Sequence, residues 1–188
     1  MSGEMTERLK FVTGNEDKAR EARRILGIEI ERVEPERVVE IQTVDVSELI
    51  FHKIGQVYRQ LKCPVMVEDS GLIFTAWNGL PGALVKWFEK TVACDGLARM
   101  LDGFTDRSAI AVCVAALHDG EKVQVGRGEV RGTIAPAPRG TNGFGWDTIF
   151  IPAGHDRTFA EMTAEEKDAI SHRKLALDQL KKHLIAGM

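Results

Sequence analysis

The sequence predicts a mixed α/β (α+β) domain: one elongated, mixed β-sheet with flanking helices, forming two lobes. Three observations carry this. Strand-like alternation and helical periodicity take turns along the chain. The most regular helical stripe, after Asp45, leads into an apolar strand-like run, "CPVMVED". A long hairpin, "RSAIAVCVAALH" and "EKVQVGRGEVRGTIA" about Asp119 and Gly120, fits a simple alternating βαβ wrap poorly.

Taken in order, "LKFVTGN" is a short apolar strand ending in Thr-Gly-Asn. In "EDKAREARRIL", Ala19, Ala22, Ile25 and Leu26 are at helical spacing, with Gly27 as a stop. "IEIERV" alternates like a strand, and Glu34 to Thr43 has no clear period. Asp45 and Glu48 are placed as a capping box for a helix whose stripe is Val46, Leu49, Ile50, Ile54, Val57, Tyr58 and Leu61. "CPVMVED" is expected as a buried strand and "LIFTAW" as another, closed by "NGLPG". "ALVKWFEKTV" and "CDGLARML" follow as helices, then the hairpin, a glycine-rich loop at 140–145 and the strand "TIFIP". Two helices finish the chain, one from Thr163 and one near Ser171. Residues 1–8 are set aside as a leader, leaving 9–188 as a single domain.

The bulk numbers restrict the function classes. A chain of 188 residues with 44% hydrophobic and 28% charged residues suits one globular core. The longest apolar run, Ala109 to Leu117, is far short of the roughly 20 residues that span a bilayer, so no membrane partner is expected. A net charge of −3 gives no general attraction to nucleic acid. Cys63, Cys94 and Cys113 have no pairing or metal-ligand spacing and read as reduced, cytoplasmic thiols.

Four stretches could carry chemistry. In "TGNEDK" a strand passes through Thr13, Gly14 and Asn15 into a helix, whose positive end suits an anion, with Lys18 one turn in. An Asn-capped helix with a surface lysine would read the same way. In "VEDSGL", Glu68 and Asp69 sit together at an expected strand end, with Glu40 as a candidate third acid. Adjacent carboxylates raise the cost of ionising both, so a cation such as Mg²⁺ would relieve them; solvated acids at a turn are the other reading. In "TNGFGWDTIF", Gly143 and Gly145 bracket Phe144, giving a ligand a close backbone and a stacking face; a turn with a core aromatic remains open. In "AISHRKLAL", His172, Arg173 and Lys174 occupy a first helical turn, where the dipole favours acids. An acceptor-rich ligand would account for that, as would one mispatterned exposed turn.

The order and company of these signals are more specific than any one of them. "FVTGNEDK", "VEDSGL", "LPG…KWF", "GFGWD", "TFAEMTAEEK" and "ISHR" together resemble the inosine/xanthosine triphosphate pyrophosphatase family, from about Leu9 to Leu184. The resemblance implies two lobes around a central nucleotide cleft, usually in a homodimer. It implies Mg²⁺-dependent hydrolysis of deaminated purine nucleoside triphosphates (ITP, dITP, XTP) to the monophosphate and pyrophosphate. Thr13, Gly14, Asn15 and Lys18 would hold the triphosphate, and Ser70 would touch substrate. Glu40 and Asp69 would bind Mg²⁺, Glu68 standing beside them as a further acid, and Asp69 would also take the proton of the attacking water. Phe144, Gly145, Trp146, Asp147, Lys167, His172 and Arg173 would form the base pocket. Trp146, Thr148 and Asp168 depart from the family's usual tyrosine, proline and asparagine.

Two rival readings are retained. One is a pyrophosphatase of the Maf type acting on modified or pyrimidine nucleotides. The other is a nucleotide- or nucleic-acid-binding module without catalysis, against which stands the joint presence of Lys18, Glu40 and Asp69.

Overall fold

The computed structural model describes residues 9–186; the expected leader lies outside the described residues. Its strands are β1 (Lys10–Val12), β2 (Glu31–Val33), β3 (Val65–Phe74), β4 (Pro81–Gly82), β5 (Ser108–His118), β6 (Val123–Ile134) and β7 (Phe150–Pro152). The helices are α1 (Glu16–Leu26), α2 (Val46–Leu61), α3 (Val85–Arg99), α4 (Ala164–Ile170) and α5 (His172–Ala186). They form one 7-stranded mixed sheet, ordered β2-β1-β3-β5-β6-β7, with β4 beside β3. The pairs β1–β2 and β1–β3 are parallel and the rest antiparallel.

Strand length produces the two lobes. At about 3.4 Å per residue, the 11 residues of β5 reach roughly 37 Å, more than one layer of helices covers. Alternation along β3 and β5 sends Met66, Cys113, Ala115 and Leu117 to a core under α1 and α5. Val65, Val67, Val112, Val114 and Ala116 point the opposite way, beneath α2. Further along the same strands, Leu72, Phe74, Ala109 and Ala111 join a second-lobe core with Leu97, Leu101, Phe150 and Phe159.

Local signals explain most element ends. Asn15 caps α1, accepting from the amides of Asp17 and Lys18, and Gly27 closes it at φ 68°. Thr163 and Glu166 form the expected capping box on α4. The box expected at α2 does not form: Asp45 accepts from Ser47 N, but Glu48 instead takes the Thr43 hydroxyl at 2.6 Å. The helices expected on either side of Ala93 meet at a break there, with Ala93 at φ 56°, ψ 178°.

One expectation is overturned. "VMVEDSGLIF" is a single strand, and Glu68 to Gly71 stay in register with β5, opposite Ala115, Val114, Cys113 and Val112. The polar residues are tolerated because of what lies beside them. β1 pairs with β3 at Val65 and Met66 and β4 at Leu72 and Ile73, so Val67–Gly71 have no neighbouring strand on that edge. The cleft opens there, at mid-strand.

Candidate active site

A cavity of about 590 Å³ occupies this gap, within the usual size range of ligand pockets. It brings together Thr13, Gly14, Asn15, Lys18, Glu40, Glu68, Asp69, Ser70, Phe144, Gly145, Trp146, Asp147, His172 and Arg173. Of the site residues expected from the resemblance, Lys167 stays apart. It lies behind Phe144, 4.9 Å from the ring, and lines a neighbouring cavity of about 330 Å³.

The period-2 alternation of β3 separates the two adjacent acids. Asp69 meets Lys18 Nζ at 2.8 Å and Lys53 Nζ at 3.8 Å. Glu68 is wholly buried and accepts from Ser70 Oγ (2.7 Å), Cys113 Sγ (3.1 Å) and Arg173 Nη2 (3.1 Å), with Lys18 Nζ 3.3 Å away. Burial works against both carboxylates, but these cations outweigh it and hold both below the usual carboxylate range. Burial likewise opposes the Lys18 ammonium, and Asp69 and Glu68 overcome it, raising its pKa. The like-charge conflict suggested by the sequence is therefore resolved largely by the protein's own lysines and arginine.

The chain of charges continues on both sides. Lys53 bonds Glu40 at 2.8 Å. Arg173 bonds Glu21, which accepts from Lys167 at 2.7 Å; Lys167 also reaches Asp147 at 2.6 Å. Acid and base thus alternate from Glu40 to Asp147 through Lys53, Asp69, Lys18, Glu68, Arg173, Glu21 and Lys167. Burial raises the Asp147 carboxyl in spite of Lys167, whereas Arg173 and Lys167 together lower Glu21 against its burial.

This network also explains the basic first turn of α5. Arg173 faces Glu21 and Glu68, and Lys174 bonds Asp178. The acceptors expected from a ligand are in these cases supplied by the protein. His172 is different: it is 1% exposed and neither ring nitrogen has a partner. Burial, then the Arg173 and Lys167 cations, press its pKa well below the ordinary value, so the imidazole is neutral near pH 7. Trp146 and Phe159 flank it at 5.1 and 6.0 Å between ring centroids. The backbone of α5 rests close on β6: a Cβ at Gly128 would stand 2.1 Å from the His172 carbonyl oxygen.

The loop 143–147 is clamped by Asp147, which accepts from Phe144 N at 2.9 Å. Gly143 sits at φ +69°, and a Cβ there would fall 2.3 Å from Asp147 Oδ2. Only glycine suits both the conformation and the approach.

Four site residues were missed by the motifs. Lys53 had a signal, being a lysine on the apolar stripe of α2, where it is 6% exposed. Glu21 is comparably buried on α1, beside Ala22. Lys86 and Glu89 line the cavity from α3, and nothing in their local sequence distinguishes them from surface charges.

Comparison with known proteins places these observations. The profile of the Ham1 family matches residues 9–183. An inosine triphosphate pyrophosphatase of Yarrowia lipolytica is 44% identical over 174 residues, covering 91% of this chain and 92% of that protein. One from Schizosaccharomyces pombe is 42% identical over 177 residues, covering 93% of each. Among solved structures, a HAM1 protein from Coxiella burnetii superposes with a TM-score of 0.82 at 31% identity, covering 95% of this chain and 98% of that one. A nucleoside-triphosphatase, dITP/XTP pyrophosphatase, from Mycobacterium abscessus gives 0.71 at 31% identity, covering 96% and 98%. The chain belongs to the Ham1 family.

Proposed function

We propose that this protein hydrolyses purine nucleoside triphosphates carrying hypoxanthine or xanthine (ITP, dITP, XTP) to the monophosphate and pyrophosphate. The relatives named above support the reaction class. The observation that carries the reading is one cavity lined by two chemically distinct groups of residues. One group is Thr13, Asn15, Lys18 and Asp69; the other is Trp146 and the unpartnered imidazole of His172 beside Arg173.

From the first group, Thr13, Gly14, Asn15 and Lys18 receive the triphosphate. Asn15 Oδ1 already holds the amides of Asp17 and Lys18, so phosphate oxygens meet the Asn15 side-chain nitrogen and Lys18 Nζ instead. Lys53 and Lys86 add positive charge to the cavity lining. Asp69 takes a proton from water as its oxygen attacks the α-phosphorus, and the bond to the bridging oxygen breaks to release pyrophosphate.

The donor set fits Mg²⁺, which takes one or two carboxylates and completes its shell with water and phosphate. No group of three His, Cys, Asp or Glu side chains converges among the described residues, and a two-carboxylate site needs none. Glu40 and Asp69 would hold the ion; Glu68 has a buried Oε2 without a hydrogen-bond partner, but its other contacts make it the acid that positions Arg173 and Ser70. Bound there, Mg²⁺ supplies charge neutralisation on the phosphate oxygens.

In the second group, Arg173 retains an unpartnered Nε, and neutral His172 offers one donor and one acceptor. The 6-oxygen of hypoxanthine or xanthine matches these donors, whereas adenine presents an amino group to them. Such a mismatch at a hydrogen-bonding site rejects the wrong base by roughly 10⁴-fold in favourable cases. Phe144 and Trp146 pack against the base, and Lys167 supports the pocket from behind through Asp147 and Glu21.

A homodimer and a cytoplasmic location belong to the same proposal. The three cysteines are free thiols, and no described helix is long and apolar enough to cross a membrane.

The test is incubation with ITP, dITP, XTP, GTP, ATP and dTTP plus Mg²⁺, with identification of the phosphate species released. Pyrophosphate from the first three and little from the others supports the proposal. Orthophosphate sinks the assigned bond, and turnover of dTTP with silence on ITP returns the Maf-type reading. Nucleotide binding without turnover returns the binding module.

A further inference from the structure

The stretch between β2 and α2 is lightly tied for a segment that delivers a site residue. It places Pro35 and Glu40 in the lining of the main cavity, and Ile41, Gln42 and Thr43 in that of an adjoining one. Yet no backbone-to-backbone hydrogen bond fixes residues 34–43 among the described residues. Val38 packs against the core beneath α2, but Val39 is 63% exposed. Apolar contact is non-directional, so it keeps the segment close without setting how it is turned.

Direction comes from one side chain. Gln56, on α2, donates from Nε2 to the Val39 carbonyl at 2.8 Å and accepts from the Val39 amide at 3.0 Å through Oε1. Its amide thereby does for Val39 what a neighbouring strand would do, satisfying both backbone groups of one residue. Nε2 also stands 2.9 Å from His52 Nδ1, one turn back. Reversing the amide would set donor against donor and acceptor against acceptor at Val39, so its orientation is fixed. Gln56 itself lines neither cavity.

Glu40, the next residue, is gripped from the same face of α2. Lys53, three positions before Gln56, bonds its carboxylate at 2.8 Å and stands 3.8 Å from Asp69. The two ties differ once a cation arrives. A divalent ion on Glu40 and Asp69 repels the Lys53 ammonium, so the side-chain tie is the one that weakens. The bonds from Gln56 are uncharged and go to the main chain, so they persist.

We infer that Gln56 is a positioning residue for Glu40: by clamping the Val39 backbone it holds the Glu40 carboxylate where a cation can meet it together with Asp69. The inference rests on the assignment of Glu40 and Asp69 to Mg²⁺ given above and deepens it.

The experiment is a double-mutant cycle of wild type, Gln56→Met, Glu40→Gln and the pair. Methionine keeps the length and helix propensity of glutamine and removes both hydrogen bonds. Three quantities are read: the Mg²⁺ concentration for half-maximal pyrophosphate release from ITP, Mn²⁺ binding by electron paramagnetic resonance, and the amide exchange rate of Val39 in metal-free protein by NMR. Loss of a group that orients a metal ligand costs roughly 10–100-fold in metal affinity. Gln56→Met is therefore expected to raise the Mg²⁺ requirement and weaken Mn²⁺ by about tenfold or more, and to speed Val39 exchange. The effect on both metals should vanish when Glu40 is already glutamine. Unchanged metal dependence overturns the inference, as does unchanged Val39 exchange. An equal loss in both backgrounds also overturns it, marking Gln56 as a general stabiliser. A Glu40→Gln protein with wild-type metal dependence contradicts the assigned ion site instead, while Val39 exchange still judges the clamp. Absence of turnover contradicts the proposed reaction, and Mn²⁺ binding then carries the cycle.

Discussion

Glu21→Gln is the most informative test of how this site is held. Glu21 has a side chain 5% exposed, accepts from Lys167 at 2.7 Å and bonds Arg173, yet stands outside the main cavity. Glutamine keeps the shape but removes the charge, and its amide nitrogen turns a donor toward a cation. Lys167 keeps Asp147 and Arg173 keeps Glu68, so neither cation is wholly stranded. Breaking a buried pair from one side costs about 3 kcal/mol at the low end of the usual range. For a chain of this length 1 kcal/mol moves Tm by about 2–4 °C, so the melt should fall by roughly 6–12 °C. Circular dichroism melts, with urea unfolding at constant slope as a check, provide the measurement. The pH dependence has a fixed sign. The Glu21 carboxyl is held below its ordinary 4.5 by Arg173 and Lys167, against its burial. Its contribution is therefore present above that value and lost as pH falls through the folded pKa. The gap between wild type and variant should close under strong acid. A melt unchanged within about 2 °C at neutral pH would refute the view that Glu21 anchors the two cations.

Four further outcomes are expected. Asp69→Asn should cost at least about 10²-fold in turnover with the fold intact by circular dichroism; activity within tenfold of wild type counts against its role as proton acceptor. EDTA should stop pyrophosphate release and added Mg²⁺ restore it, and turnover that persists in chelator would contradict the assigned ion. For His172, the unfolded ring protonates near 6.5 while the buried one resists. Stability should accordingly rise with pH up to about 6.5, with a slope approaching ~1.4 kcal/mol per unit from this group, and His172→Phe should flatten that component. Gly143→Ala should destabilise by about 1–3 kcal/mol, from positive φ and the approach to Asp147, seen as a lower urea midpoint. An unchanged midpoint would show that the loop gives way freely.

Most local chemistry was legible where one short segment contained both cause and effect; the Asp45–Glu48 box, lost to the Thr43 hydroxyl, was the exception. The Asn15 cap, the Gly27 stop, the apolar stripe of α2, the Thr163 capping box and the hairpin at Asp119 all follow from neighbours within a few residues. Period-2 runs were enough to indicate a mixed sheet. The order of "TGNEDK", "VEDSGL", "GFGWD" and "SHR" was enough to point to most of the residues that line the cavity.

What tertiary structure decided concerns charge and partners. Sequence placed Glu68 and Asp69 side by side at a strand end; the sheet continues through them and points them to different environments. Register with β5, and the gap between β1 and β4, arise from pairings far apart in sequence. Arg173 meets Glu21 across 152 positions and Glu68 across 105, so no window of sequence could show that its acceptors are internal. Lys86 and Glu89 look like ordinary helical charges until the cleft closes around them. Periodicity and capping are set by neighbouring residues on one element, whereas the ionisation of a buried group depends on which distant charges share its low-dielectric surroundings.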